Sequence, residues 1–198
     1  MKLETKEDII RTIQQDEWMM HVLHTTKQLE LPDWWVSAGF VRSKIWDTLH
    51  GFTRRTQLTD VDVIYFDRDR VDESLEKSYE NRLKEKEPSI PWSVKNQARM
   101  HVINQLPPYD SSIDAISKFP ETATALGVKI DTGDNLRLAA PCGIQDVIQM
   151  KVRPTWHFAQ SDRLMKIYQQ RVENKSWTTT WANVEICEKG WANGLSQV

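Results

Sequence analysis

Asp60-Val61-Asp62-Val63-Ile64-Tyr65-Phe66-Asp67 is the stretch that decides the fold. β-Branched and aromatic residues dominate it, and Val61, Val63 and Tyr65 alternate with Asp60, Asp62 and Ile64, the period of a β-strand. That period places Asp60 and Asp62 on one face with their carboxylates close together. Adjacent carboxylates repel, and burying either charge unpaired is costly. A hard divalent cation, Mg2+ (or Mn2+), relieves both problems and keeps water sites for phosphate oxygens. The plainer reading is a strand end whose acids point into water or meet Lys and Arg.

The preceding residues favour the metal reading. An apolar run, Trp34-Trp35-Val36, leads into Ser37-Ala38-Gly39-Phe40-Val41-Arg42 and then Ser43-Lys44-Ile45-Trp46-Asp47-Thr48-Leu49-His50-Gly51. The order predicts a strand, a glycine turn and a short amphipathic helix over 43–50, with Gly51 as its C-terminal stop. Gly39 at the turn lets backbone amides approach a phosphate, and the helix N-terminus adds partial positive charge. Arg42 and Lys44 supply full charges at the same place. A phosphate site beside a metal site describes phosphoryl or nucleotidyl transfer.

These motifs resemble the nucleotidyltransferase superfamily of DNA polymerase β, the poly(A) polymerases, the CCA-adding enzymes and the aminoglycoside nucleotidyltransferases. Ala38-Gly39 is similar to that family's glycine turn, Val41-Arg42 to the Val-Arg of CCA-adding enzymes, and Asp60-Val61-Asp62 to the metal pair. With Trp46-Asp47, Leu49-His50-Gly51, Asn96-Gln97-Ala98-Arg99-Met100-His101, Pro120-Glu121-Thr122-Ala123-Thr124-Ala125 and Val152-Arg153-Pro154, the chain resembles a bacterial nucleotidyltransferase-like family of unknown substrate. The resemblance implies Asp60 and Asp62 as catalytic metal ligands. Its phosphate- and nucleotide-binding candidates are Ser37, Gly39, Arg42, Lys44, Asn96 and Arg99.

The superfamily places a third carboxylate on a later strand, where it helps activate the attacking hydroxyl. The next strand-like run here, Ile90-Pro91-Trp92-Ser93-Val94, has Ser93 at its centre and no acid. Either another acid substitutes, Asp110 ahead of Asp67, or the site binds a nucleotide without fast turnover.

The expected fold class is α/β (α+β): a nucleotidyltransferase-type mixed sheet with N-terminal helices and a C-terminal helical cover. Residues 1–175 are expected as a single domain, with helices over 1–30, and 176–198 as a weakly structured tail onto which Trp181 and Trp191 dock. Thr5 or Glu7 caps the first helix, and the second ends before Pro32. A charged helix over 72–86 has Leu75, Tyr79 and Leu83 inward and a solvated face. Ser112 caps a short helix; 126–130 and 136–140 form a hairpin around the 131–135 turn; a last long helix starts near Ser161.

Composition narrows the function further. The 198 residues can bury a substantial core, and a net charge of −2 disfavours a broadly basic nucleic-acid surface while leaving a local patch open. Two distant cysteines, Cys142 and Cys187, suggest free thiols in a reducing compartment. A charged N-terminus and the lack of a long apolar run predict a cytoplasmic protein with no membrane partner. Walker A, dinucleotide-binding and Gly-x-Ser-x-Gly patterns are absent. Of nine tryptophans, Trp34, Trp35, Trp46 and Trp92 fall near the proposed site, where packing outweighs base stacking as their expected role. His50 and His101 lie within the family-like motifs, and hydrogen bonding to neighbours outweighs contact with phosphate or ribose.

The expected function is metal-dependent transfer of an NMP from an NTP to an unidentified small-molecule or protein acceptor, with the small size disfavouring tRNA. A catalytically weak nucleotide-binding or regulatory module of the same fold is the alternative, and a tryptophan-rich interaction scaffold is a third.

Overall fold

The computed structural model describes residues 3–103 and 105–187. Two helices lead, α1 (Lys6–Gln14) and α2 (Glu17–Lys27). Thr5 opens α1 with a capping box, its hydroxyl accepting the Asp8 amide while the Asp8 carboxylate accepts the Thr5 amide. Ile9, Ile13, Met19, Val22 and Leu23 turn inward and are buried. None of the described helices is long and apolar enough to cross a membrane.

Five strands form one mixed sheet: β1 (Trp35–Ser37), β2 (Val61–Tyr65), β3 (Trp92–Asn96), β4 (Gly127–Ile130) and β5 (Leu136–Ala139), in the order β3-β2-β1-β4-β5. β1 is antiparallel to β2 and β4, β4 and β5 form the expected hairpin, and β3 runs parallel to β2. That parallel step needs a crossover, which α4 (Glu73–Lys86) supplies. Strand alternation then sorts the faces. Val36, Val61, Val63, Tyr65 and Val94 join the main core with Ile13, Leu23, Ile45 and Leu83. Trp35 and Ile64 turn the other way, against Ile116, Ala125 and Ala139. Asp62 shares this second face with Ile64, and register sets Ser37 and Ser93 on either side of it.

Helix α3 (Gly39–Leu49) joins β1 to β2. It starts at Gly39, four residues earlier than its pattern suggests, because Ala38 makes the whole turn. It ends as expected: Gly51 has φ +68, and Phe52 and Gly51 donate to the carbonyls of Asp47 and Thr48. Those paired bonds with a left-handed glycine make a Schellman stop.

The charges of α4 are not all on a solvated face. Glu76 is 0% exposed and Glu80 is buried beside it. β3 is an edge strand with unpaired amides, and these two carboxylates accept them, Asn96 to Glu76 at 3.0 Å and Val94 to Glu80 at 3.4 Å. Covering an edge in this way removes a template for strand addition.

The remaining elements are short apart from α9. They are α5 (Gln97–Met100), α6 (Ser112–Ser117), a 3-10 turn (Thr122–Thr124), α7 (Gln145–Ile148), β6 (Lys151–Val152), α8 (Trp156–Ala159), α9 (Asp162–Lys175), α10 (Trp177–Thr180) and β7 (Glu185–Ile186). Ser111, not Ser112, caps α6, because Ser112 bonds through both its amide and its hydroxyl to Asp33. Residues 176–187 pack on the body: Trp177 and Trp181 are buried, and β7 pairs parallel with β6. Trp191 lies outside the described residues.

Candidate active site

Where β1 ends and β2 begins, a cavity of about 440 Å³ opens. Its walls are the first turn of α3 (Ala38, Gly39, Arg42, Ser43), the loop 56–59, Asp60 and Asp62, Thr124, the end of α9 (Arg171, Lys175), and Trp177, Thr180 and Trp181. The sheet thus brings Gly39, Arg42, Asp60 and Asp62 to one place across 24 residues of sequence.

The turn is made by a strained alanine. Ala38 has φ 54 and ψ −117, a conformation costing on the order of 1–3 kcal/mol for a residue with a side chain. Its amide is held by the Leu126 carbonyl, and its own carbonyl accepts the Val41 and Arg42 amides. Ala38 offers no side-chain cap, so the first amides of α3 remain available at the cavity wall. Gly39 has an ordinary φ, and a Cβ there would meet only the Arg42 Nη2, at 3.8 Å. Its missing side chain leaves open space in the cavity and is not required by the turn.

Asp60 and Asp62 form the acidic wall. Burial, and then the charge of Asp60, raise the Asp62 carboxyl to about 6, against lowering by the neighbouring Ser93 hydroxyl and by the charges of Arg171 and Lys175. A partly buried acid held towards neutrality by its burial and by a neighbouring acid is a donor set that a hard cation would relieve, so these residues fit Mg2+ or Mn2+. Among the described residues, no group of three or more His, Cys, Asp or Glu side chains could hold a metal ion. Asp67 accepts the Asp69 and Arg70 amides, and Asp110 is exposed in an ion pair with Arg68. Neither of these lines the cavity.

Three cations face the acids. Arg42 is only 8% exposed, and its guanidinium carbon lies 5.0, 5.0 and 5.2 Å from the ring centroids of Trp46, Trp177 and Trp181. Contacts of this kind are worth about 0.5–1 kcal/mol when exposed and about 2 when desolvated. Burial lowers Arg42 to about 10, with the nearby Arg171 charge adding to that and Glu121, Asp60 and Asp47 opposing it, so it stays charged near neutrality. Arg171 is aimed by the fully buried Glu121, which accepts its Nε–H at 2.6 Å and the Thr124 hydroxyl at 2.6 Å. Lys175 stands one helical turn further on the same face of α9.

Sequence reasoning missed Arg171, Lys175, Trp177 and Trp181. Their signal is a repeated spacing of four, Arg171 to Lys175 at the end of the last long helix and Trp177 to Trp181 at the start of the expected tail. Of the other candidates, Ser37 is buried directly across from Asp62, and its hydroxyl has no partner among the described residues. Lys44, Asn96 and Arg99 do not line the cavity. Lys44 pairs with Asp16 at 2.9 Å, on the far side of α3. Asn96 is fully buried, caps α5 and bonds the backbone of Asp67 and Arg70. Arg99 is spent on Glu76, with two bonds at 3.0 and 2.8 Å. Trp34, Trp35, Trp46 and Trp92 are core residues, and His50 bonds the Trp46 carbonyl and the Asn183 amide.

The fold and the paired acids define a nucleotidyltransferase, the class that transfers an NMP from an NTP. The family described as Nucleotidyltransferase matches residues 24–186, and the chain belongs to it. It is similar, at 34% identity and a TM-score of 0.85, to an NMR structure described as revealing a CCA-adding enzyme head domain, covering 93% of this chain and 97% of that one. It also matches the Thermotoga maritima CCA-adding enzyme complexed with tRNA, at 13% identity and a TM-score of 0.51, a likeness of fold. That match covers 90% of this chain and 42% of the enzyme. No curated protein matches the chain.

Proposed function

We propose that this protein binds a nucleoside triphosphate with Mg2+ (or Mn2+) and transfers its NMP to a hydroxyl of a small-molecule or protein acceptor. The observation carrying this reading is the meeting of Asp60 and Asp62 with Arg42, Arg171 and Lys175 around one cavity. Asp60 and Asp62 would hold the ion, which would supply charge to offset that of the phosphates. Arg42, Arg171 and Lys175 would take the β- and γ-phosphates, with the uncapped start of α3 adding partial positive charge. In the transfer, the acceptor hydroxyl gives its proton to water, its oxygen bonds the α-phosphorus, and the α–β phosphoanhydride bond breaks as pyrophosphate leaves. The chain supplies orientation and pre-set charge for this step. The net charge of −2 and the mixed-sign cavity favour a small or protein acceptor over a nucleic acid.

A second reading, a nucleotide-binding module with little turnover, draws on one observation: Asp60 and Asp62 are the acids lining the cavity, with Ser93 beside them. Calorimetry with ATP, GTP, CTP and UTP, with and without Mg2+, tests both readings. Asp60→Asn with Asp62→Asn should abolish Mg2+-dependent binding, and unchanged binding would reduce the pair to a strand end. Pyrophosphate release on adding candidate acceptors separates the enzyme from the module.

A further inference from the structure

Arg42 is stabilised by aromatic faces where a buried arginine ordinarily meets a carboxylate. Among the described residues its Nε has no hydrogen-bond partner, and its Nη2 donates to the Ser43 hydroxyl at 2.9 Å. A salt bridge would neutralise the guanidinium and occupy its in-plane donors. Indole faces stabilise the charge and leave those donors vacant. The side chain lines the cavity with its Nη2 end towards Gly39, so an anion in the cavity meets the guanidinium at that end while Nε stays closed off from solvent.

The rings are themselves fixed. Trp181 donates its indole N–H to Asp47 Oδ1 at 2.8 Å, and the same buried carboxylate accepts the Thr56 amide and hydroxyl at 2.8 and 2.7 Å. Asp47 thereby ties the loop wall and the C-terminal wall of the cavity together. Trp46 donates to the Val147 carbonyl, and Trp177 and Trp181 stand edge-on to it, at 6.0 and 5.1 Å between centroids. The cage is therefore held by bonds independent of any ligand, the condition for pre-organised binding.

We propose that Trp177 and Trp181 are positioning residues that hold the Arg42 guanidinium for a phosphate group of the nucleotide, so that the segment after α9 completes the site. This inference rests on the triphosphate reading above. It assigns these tryptophans an electrostatic role that requires an aromatic face, beyond filling space.

The test is calorimetric titration of the whole chain with inorganic tripolyphosphate and Mg2+, alongside thermal unfolding of each variant. Trp177→Leu and Trp181→Leu should each weaken binding by about tenfold, while Trp181→Phe should stay within about threefold of wild type because it keeps a π face. If a leucine variant does not fold, Trp181→Met, unbranched and flexible enough to follow the length of the indole site without a π face, should show the same loss. Equal affinity in the Phe and the aliphatic variants, at matched thermal stability, would overturn the inference alone. Failure of the wild-type protein to bind tripolyphosphate would overturn the triphosphate reading and this inference with it.

Discussion

Ser93 of β3 stands directly beside Asp62 of β2, in register across the parallel pair, and its hydroxyl favours the charged form of the Asp62 carboxyl. It thus occupies the neighbouring strand position where the superfamily resemblance implies a third acid. The hydroxyl eases the charge of Asp62 without adding a charge of its own.

Ser93→Asp should lower the melting temperature of the metal-free protein, because a third carboxylate joins two that already repel. It should enlarge the thermal shift produced by Mg2+, since a third oxyanion tightens binding to the ion and binding to the native state stabilises it. Scanning calorimetry with and without Mg2+ reads both. A lowered melting temperature with no larger Mg2+ shift would show that position 93 does not face the ion.

The raised Asp62 carboxyl makes a pH prediction with a definite sign. Its ordinary value is 3.8 and its value in the fold is about 6, so between these the native state holds the proton that the unfolded chain has lost. Stability in the metal-free protein should therefore fall as pH rises from about 4 to about 6, by no more than roughly 3 kcal/mol. Asp62→Asn should flatten that segment of the profile and raise stability above it. Mg2+ must displace the same proton, so its affinity should climb with pH through this window and level off above it. Urea unfolding and Mg2+ titration at several pH values check the slope, and a flat profile in the wild-type protein would contradict it.

Much of the fold was legible because its signals are local. The alternation of Val61, Val63 and Tyr65 with Asp60, Asp62 and Ile64 set β2 in place, and the Gly51 stop and the 131–135 turn marked element ends. The acids and the turn beside them were legible for the same reason. What escaped depends on partners distant in sequence. Lys44 is drawn away by Asp16, Arg99 is drawn to Glu76, and Glu76 itself turns inward because β3 is an edge. Trp177 and Trp181 gain their place only through α3, which is more than 120 residues earlier in the chain.

Glu76 yields a stability prediction separate from the ligand. It is fully buried and accepts bonds from the Asn96 amide and the Arg99 guanidinium, with Lys95 3.5 Å away. Glu76→Ala leaves a buried amide and two cations without it, a loss of about 3–5 kcal/mol. The urea midpoint should drop sharply, and Arg99→Ala should lower it by less, because Arg99 is partly exposed and its loss leaves Glu76 the Asn96 amide. NTP affinity of the folded Arg99→Ala protein should match wild type, since this side chain lies outside the cavity.

Ala38 and Gly39 should respond to substitution in opposite ways, because strain and open space fall on different residues. Ala38 carries the positive φ of 54 that glycine adopts freely. Ala38→Gly removes the strain but adds freedom to the unfolded chain, worth about 0.4–1 kcal/mol against it, so a small net stabilisation is expected. Gly39 has an ordinary φ and room for a methyl group, so Gly39→Ala should leave the melting temperature equal or higher. The added methyl, however, would lie 3.8 Å from Arg42 Nη2, inside the space through which a phosphate reaches the guanidinium and the first amides of α3. Gly39→Ala should therefore weaken NTP binding several-fold in a protein that is no less stable. Thermal unfolding and NTP calorimetry on the two variants separate these effects. Loss of stability in Gly39→Ala would mean the turn itself needs the glycine, and unchanged NTP affinity would place the phosphates elsewhere.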